Sequence, residues 1–182
     1  TRLGFESINE LELANKVVVW EPYLAHEGDK VCQYVIADGV KTAVTNAIAV
    51  SAQKSSDATA LNAALTALNA FELPEINQPT VGKFYRLKNH QSGWYATSTL
   101  RTGETQHSNK LYMKEASNTA ESVWYLAEGN KLVSFKEGRY LGDMSSDWSF
   151  EAVGADGNAV VFNESAVVGR YQILPSSGRA LY

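Results

Sequence analysis

Hydrophobic residues in the first part of the chain recur with the period of an α-helix. Between residues 57 and 71 the apolar positions follow the i, i+3, i+4 spacing of an amphipathic helix, at Leu61, Ala64, Leu65, Leu68 and Phe71. Ser55 or Ser56 is available as the N-cap of this helix. The stretch from about Asp38 to Gln53 repeats the spacing, through Val40, Val44, Ala47 and Ile48. Two short helices joined by a few polar residues are expected to pack antiparallel.

The apolar stripes of these two helices need a third partner. The N-terminal segment is expected to supply it through Ile8, Leu11 and Val18. The run VVVW at 17–20 can also be read as a short strand. The sequence therefore predicts a three-helix bundle over residues 1–76.

The pattern changes after the segment 72–80, ELPEINQPT, which holds two of the four prolines. Proline restricts the residue before it to extended conformations, so we place a linker at 77–81 and a second domain at 82–182. In the second domain, short apolar and aromatic runs are separated by Gly, Asn and Ser. The sequence predicts about ten short strands and no helix there, at KFYRLKN, GWYATS, KLYMKE, SVWYLA, KLVSF, RYLGD, WSFEAV, AVVFN, RYQIL and RALY. The predicted fold class is α+β in two domains.

The predicted strands follow a repeat. GKFYRLK, NKLVSFK and GRYQIL each place a basic residue before alternating large side chains, and each precedes a turn that contains glycine. The turn glycines Gly93, Gly138 and Gly178 recur at intervals of about 40 residues, and Trp124 recurs as Phe162 at a similar interval. Such a period indicates one supersecondary unit used repeatedly.

Four strands per unit in three units is the order of a β-trefoil, and residues 82–182 resemble the ricin-type lectin family. FYRLKNHQSGWYATS is similar to the opening hairpin of that family, and SVWYL stands where its Gln-x-Trp motif falls. The third unit stops at Tyr182 after two predicted strands. The sequence therefore predicts either that the parent protein continues past Tyr182 or that the barrel closes differently.

The helical part has a resemblance of its own, to the FIVAR-like helical modules of bacterial surface proteins. In those modules a Gly-Gln-Tyr-like turn precedes two helices rich in Ala and Leu, and Cys32-Gln33-Tyr34 stands at that turn with Cys in place of Gly. Helical modules followed by ricin-like trefoils resemble the non-catalytic regions of large secreted glycan-degrading enzymes of gut bacteria. The resemblance implies an extracellular or cell-surface location.

Charge and motifs exclude several classes of function. The net charge is -4 and no run of Lys or Arg marks a nucleic-acid site, nor does any apolar run reach the roughly 20 residues that span a bilayer. The three histidines lie far apart, and neither a phosphate loop nor a GxSxG elbow occurs. Cys32 is interpreted as a small buried hydrophobe. The sequence predicts no catalytic residues, no metal and no cofactor.

The resemblance to ricin-type lectins implies candidate sugar-binding residues. In each unit the family places an acid after the second strand, an aromatic residue in the following loop and an amide near the Trp motif. By position, the second unit offers Asp143 and Trp148, and the first offers Tyr112 and Asn118, with Thr97 or Ser98 in place of the acid. Ser122 and Val160 stand in place of the motif glutamines. Trp94 aligns with arginines in the other units, which predicts an exposed ring. Trp124 is predicted to be core, and the other aromatic residues of the segment 121–143 are predicted to be mostly core as well.

These expectations favour a non-catalytic accessory region that binds carbohydrate and targets an attached glycan-degrading enzyme to its substrate. The expected partners are a glycan and the remainder of the parent polypeptide. The alternative is a structural spacer or protein-interaction module whose trefoil has lost its sugar sites, which the substituted acid and glutamines favour. A catalytic fragment would require clustered carboxylates, which the sequence by itself does not reveal.

Overall fold

The computed structural model describes residues 7–53, 57–100, 111–115, 119–144, 150–153 and 157–175. The chain is mixed α+β and divides into two compact units, one formed by residues 1–77 with 166–170 and the other by 78–165 with 171–182. The described helices of the first unit are α1 (Ile8–Ala25), α2 (Asp38–Ala52) and α3 (Ala58–Asn69).

Helix α1 includes the VVVW run, which is therefore helical and not a strand. The helix begins after Ser7, whose Oγ accepts a hydrogen bond from the Glu10 N–H at 3.2 Å. The buried apolar residues of α1 are Leu13, Val17 and Trp20. The predicted stripe was wrong: Ile8 is 82% exposed and Val18 is 69% exposed, and Leu11 also lies on the exposed side. The choice of face is made by the partner helices, which cover the stripe that carries Trp20.

Helices α2 and α3 agree with the predicted periodicity. Val44 and Ala47 of α2 are buried, and Val40 and Ile48 pack against the same core. In α3 the predicted apolar positions are buried, at Leu61, Ala64, Leu65 and Leu68, and Phe71 packs partly buried beside them. The N-cap of α3 is Asp57 and not Ser55 or Ser56, because its Oδ1 accepts from the N–H groups of Thr59 and Ala60.

The turn between α1 and α2 is fixed by backbone hydrogen bonds around Tyr34. This residue is fully buried, its N–H donates to the His26 carbonyl at 3.0 Å, and its ring contacts the Tyr23 ring edge to face at 4.8 Å. The Tyr34 hydroxyl accepts from the Gly169 N–H at 3.0 Å. Cys32 precedes it with a left-handed φ of 68°, a conformation that favours glycine. The thiol is half-buried, and burial raises its pKa.

Nine strands are described in the second unit. They are β1 (Phe84–Tyr85), β2 (Tyr95–Leu100), β3 (Leu111–Lys114), β4 (Trp124–Ala127), β5 (Lys131–Ser134), β6 (Tyr140–Met144), β7 (Phe150–Val153), β8 (Val160–Glu164) and β9 (Tyr171–Pro175). The predicted tenth strand, RALY, lies outside the described residues. The prediction of no helix was wrong in one detail, since a 3₁₀ turn, Ala120–Ser122, precedes β4.

The strands are antiparallel and their pairing repeats. Strand β1 pairs with β4, and β2 forms a hairpin with β3. Strands β1–β4 form a first set of four and β5–β8 a second set. Strand β4 pairs with β5, and β6 forms a hairpin with β7. An isolated bridge from Lys131 to Ala159 ties the start of β5 to the segment before β8, and β8 pairs with β9. The fourth strand of each set therefore pairs with the first strand of the next.

Two turns in successive sets have the same backbone hydrogen bonds. The Asn89 N–H donates to the Trp94 carbonyl at 2.8 Å, and the Gly93 N–H donates to the Asn89 carbonyl at 2.9 Å. The Ser134 N–H donates to Arg139 and the Gly138 N–H to Ser134 at the same two distances. Gly93 and Gly138 both have a left-handed φ, 73° and 64°. The recurrence of these glycines in the sequence is thus a repeat of conformation.

The core of the second unit centres on Trp124. Its ring is fully buried, as predicted, and its indole N–H donates to the Ala96 carbonyl at 3.0 Å. The other buried apolar members of this core are Leu87, Ala96, Leu126, Leu132, Leu141 and Val160. The indole hydrogen bond ties β4 to the β2–β3 hairpin, because Ala96 belongs to β2.

Candidate functional site

The outward side of the sheet formed by β1, β4, β5 and β6 carries a row of large side chains. Phe84 pairs with Tyr125, Tyr125 pairs with Val133, and Val133 pairs with Tyr140, so these four residues lie on one face. The neighbouring row, Tyr85, Trp124 and Ser134, lies on the opposite face, where Trp124 and Ser134 are buried. The same sheet therefore has a core side and an aromatic outer side.

Three rings form the centre of this outer side, which we call the aromatic face: Phe84, Tyr125 and Phe135. The Phe84 and Tyr125 rings have centroids 5.1 Å apart at 48°, and the Phe84 and Phe135 rings contact edge to face at 5.6 Å and 87°. Phe84 is 56% exposed and Phe135 is 59% exposed. Ring pairs at these distances stabilise each other, so the rings are held in place before any ligand arrives.

Phe135 reaches the aromatic face because the β4–β5 ladder continues beyond its last strand pair. The Phe135 N–H donates to the Val123 carbonyl at 2.9 Å, one step past the pair Trp124 and Ser134. Val123 is two residues from Tyr125, and residues two apart in an extended chain share a face. The ring of Phe135 is therefore aligned with Tyr125 and, across it, with Phe84.

A charged group lies at the end of β4 at which Phe135 bonds to Val123. Glu121, in the 3₁₀ turn, accepts from the Lys136 Nζ at 2.7 Å through Oε1. Its Oε2 accepts from the Thr99 hydroxyl at 3.2 Å and from the Lys114 Nζ at 3.4 Å. We call these four residues the Glu121 cluster. Lys136 follows Phe135 directly in the chain.

The electrostatics of the cluster keep the carboxylate charged. The hydrogen bond from Lys136, then the bond from Thr99 and the charges of both lysines, lower the pKa of Glu121 to about 2. The hydrogen bond to Glu121 and its negative charge in turn raise the pKa of Lys136. Both charges thus persist across the physiological range, and the cluster presents fixed hydrogen-bond donors and acceptors beside exposed rings.

Two of the sugar-binding residues that the sequence predicts for the first strand repeat, Trp94 and Tyr112, lie among the described residues. Trp94 and Tyr112 are both exposed, as their interpretation requires. Tyr112 pairs with Thr97, so it lies on the same face of the β2–β3 hairpin as Tyr95. Trp94 comes directly before Tyr95, and alternation along the chain places it on the other face. Asn118 lies outside the described residues.

The residues that the resemblance placed at the acid and glutamine positions are buried. Thr97 and Ser98 are buried, and the Thr97 hydroxyl donates to the Tyr112 carbonyl at 2.7 Å. Ser122 is buried with its hydroxyl donating to the Thr119 carbonyl, and Val160 belongs to the core. In the second strand repeat, Asp143 lies in strand β6. The side chain of Asp143 and all of Trp148 lie outside the described residues.

Sequence reasoning missed the aromatic face because it assigned the aromatics around Trp124 mainly to the core. That assignment is correct for Trp124 and wrong for Phe135, which is more than half exposed. The strict alternation of β-strands was the available signal, since Tyr125 is adjacent to a core residue and must point away from it.

The helical unit has a shallow apolar recess between α1 and α3, with a volume of about 260 Å³. Trp20 and Leu68 lie buried at its base, and Val19 and Leu73 line it half exposed, with Lys16, Asn69 and Phe71 completing the lining. No group of three or more His, Cys, Asp or Glu side chains suited to a metal ion occurs in the described ranges. In the same ranges, no helix is both long enough and apolar enough to cross a bilayer.

Comparison with known proteins assigns no family. No family model matches this chain, and no curated protein matches it.

Proposed function

We propose that this chain is a non-catalytic, carbohydrate-binding accessory region of a larger secreted or cell-surface protein. The helical unit, of the FIVAR-like kind, acts as a spacer, and the β unit binds glycan and so targets an attached glycan-degrading enzyme to its substrate. The observation that carries the proposal is the aromatic face, with two rings more than half exposed beside a fixed hydrogen-bonding cluster.

The β unit is proposed to be a ricin-like trefoil. The support is the pairing order, in which the first strand of a set pairs with the fourth and the fourth pairs with the first strand of the next set. The matching turns at Gly93 and Gly138 add a second, independent sign of repetition. A supersecondary unit repeated with a period of about 40 residues is typical of such folds.

The chemistry of sugar recognition fits this surface. A pyranose ring has an apolar side formed by its C–H groups, which an exposed aromatic ring can cover, and a rim of hydroxyls that need donors and acceptors. Phe84 and Phe135 supply the ring surface, and Glu121 with Lys136 supplies the polar partners. Because the cluster is already ordered by its ion pairs, little side-chain entropy is lost when a ligand docks.

A glycan array with matched variants tests the proposal. We expect the wild-type chain to bind at least one glycan and the double variant Phe84→Ala/Phe135→Ala to lose that binding. Val161→Ala, which truncates an exposed apolar residue of β8 away from this sheet, serves as the control. Trp94→Ala and Trp148→Ala test the family-type positions, and loss of binding in these variants alone would move the site away from the aromatic face.

The alternative function is a structural spacer or protein-interaction module. It is favoured by the burial of Thr97 and Ser98, which occupy the position of the family's sugar-binding acid. Affinity for a protein partner, with no binding to any glycan on the array, would support this alternative and reject the carbohydrate-binding proposal.

A further inference from the structure

We propose that Glu121 is a positioning residue for the aromatic face: its carboxylate ties the turn that carries Phe135 to the start of β4 and so keeps the Phe135 ring against the Phe84 ring. This inference deepens the carbohydrate-binding function, and its effect on affinity rests on that function. It is carried by the contacts that join two short segments of the chain, 121–124 and 134–136.

The Phe135 ring depends on this turn for its place. Strand β5 ends at Ser134, so Phe135 is the first residue of the turn that leads to β6. Its N–H donates to the Val123 carbonyl at 2.9 Å, which fixes its backbone beside β4. The side chain is more than half exposed and contacts the Phe84 ring edge to face at 5.6 Å. A shift of the turn would therefore separate the two rings.

A side-chain bond from the next residue holds the same turn. The Lys136 Nζ donates to Glu121 Oε1 at 2.7 Å, a length typical of charge-assisted hydrogen bonds. Glu121 lies two residues before Val123, so the backbone bond of Phe135 and the ion pair of Lys136 attach the turn to one short segment. Without the ion pair, the turn keeps the backbone bond and loses the second attachment.

Glu121 can hold the turn because its carboxylate is itself held. Its Oε2 accepts from the Thr99 hydroxyl at 3.2 Å and from the Lys114 Nζ at 3.4 Å, and these two residues belong to β2 and β3. An isolated surface ion pair contributes little, because two long side chains must be ordered to form it. Here the bonds to Oε2 already order the carboxylate. The Oε1 of Glu137 lies 3.9 Å from the Lys136 Nζ, so Glu137 is the weaker partner of that ammonium.

The first test measures the ring contact in the free protein by NMR. Glu121→Gln keeps the size of the side chain and removes its charge, and we expect it to weaken the nuclear Overhauser cross-peaks between the Phe84 and Phe135 rings. Glu137→Gln removes the same charge from the turn itself and is the matched control, which should leave these cross-peaks unchanged. The indole N–H resonance of Trp124 verifies in each variant that the β core is intact.

A second variant tests whether Glu121 acts through Lys136. Lys136→Met removes the ammonium and should weaken the ring cross-peaks to the same extent as Glu121→Gln. The double variant should be no worse than either single variant, because all three lack the same interaction. A loss in the double variant equal to the sum of the two single losses would overturn the proposed coupling.

Affinity is measured by calorimetric titration with the best glycan from the array. Glu121→Gln and Lys136→Met are each expected to weaken binding about two- to fivefold, the size of one exposed ion pair. Glu137→Gln should leave the affinity unchanged.

The outcomes separate this inference from the proposed function. Ring cross-peaks that keep their full strength in Glu121→Gln overturn the inference, and a fall in affinity in that case would mean that Glu121 touches the glycan directly. Equal weakening of the cross-peaks in Glu137→Gln also overturns it, because the effect would then follow the charge of the turn and not the ion pair. Binding of the wild-type chain to no glycan overturns the proposed function, whereas the ring cross-peaks still decide the role of Glu121.

Discussion

Truncation of Phe135 should weaken glycan binding at the proposed site at a modest cost in stability. A fully buried Phe side chain contributes about 1.5–3 kcal/mol. Because Phe135 is 59% exposed, the buried remainder is worth about 0.6–1.2 kcal/mol on that scale. The edge-to-face contact with Phe84 at 5.6 Å adds about 0.5–1.5 kcal/mol. Phe135→Ala is therefore expected to lower the free energy of unfolding by about 1–2.5 kcal/mol.

The loss in binding free energy should be similar in size to the loss in the free energy of unfolding. A sugar ring that covers the exposed part of Phe135 gains about 1–2.5 kcal/mol from burial and stacking. Its loss weakens the affinity by roughly 5- to 50-fold. Urea unfolding gives the first number and calorimetric titration with the best glycan from the array gives the second.

Val161→Ala is the control for this experiment, since it also removes an exposed apolar side chain from the β unit. It should change neither the affinity nor, by more than about 1 kcal/mol, the stability. The reasoning is refuted if Phe135→Ala leaves the affinity unchanged, which would remove the ring from the site. A loss of more than about 4 kcal/mol in stability would refute it on the other side, by making Phe135 a core residue.

Three further predictions concern stability. Trp124→Phe should lower the free energy of unfolding by at least about 1–3 kcal/mol in urea titrations, because the buried Ala96 carbonyl loses its donor. Glu121 has a pKa of about 2 in the fold, below its usual value, so its contribution to stability is present above pH 4.5 and is lost as the pH falls toward 2. Thermal melts from pH 7 to 2 should therefore show Glu121→Gln less stable than wild type at pH 7, with the difference vanishing at the acid end. Cys32→Gly should raise stability by up to about 1 kcal/mol by relieving the left-handed φ, whereas Cys32→Val should lower it.

Each of these predictions has an opposing result. An unchanged urea midpoint for Trp124→Phe would mean that the indole hydrogen bond is not part of the stable core. A constant gap between wild type and Glu121→Gln at every pH would show that the carboxylate has an ordinary pKa in the fold. If Cys32→Gly and Cys32→Val had equal effects, backbone strain at this turn would not be the controlling factor.

Hydrophobic periodicity identified the buried face of some helices but not of all. Residues at i, i+3 and i+4 in α3 identified its buried face correctly, because that helix is apolar on one side and polar on the other. Helix α1 has apolar residues on more than one side, so its pattern did not distinguish the face of Ile8 and Val18 from that of Leu13 and Trp20. The N-cap of α3 is Asp57, one or two residues after the predicted serines, because its carboxylate accepts hydrogen bonds from the first N–H groups of the helix.

The candidate site was less accessible to sequence reasoning. Trp94 was expected to be exposed because the equivalent position in the next repeat carries Arg139. The structure confirms that its side chain is exposed. The Glu121 cluster joins residues 99, 114, 121 and 136, which come from four different segments and have no common motif. Their convergence depends on strand register, which a single sequence does not specify.

The sequence by itself determined the local elements: three amphipathic helices, glycine-punctuated strands and a turn that recurs at Gly93 and Gly138. It did so because helix period, strand alternation and left-handed turns are properties of short segments. The sequence also placed Trp124 in the core, whereas the tertiary structure alone decided that Phe84, Tyr125 and Phe135 face outward together. Alternation defines two faces of a strand, but only packing against the rest of the chain selects the one that is buried.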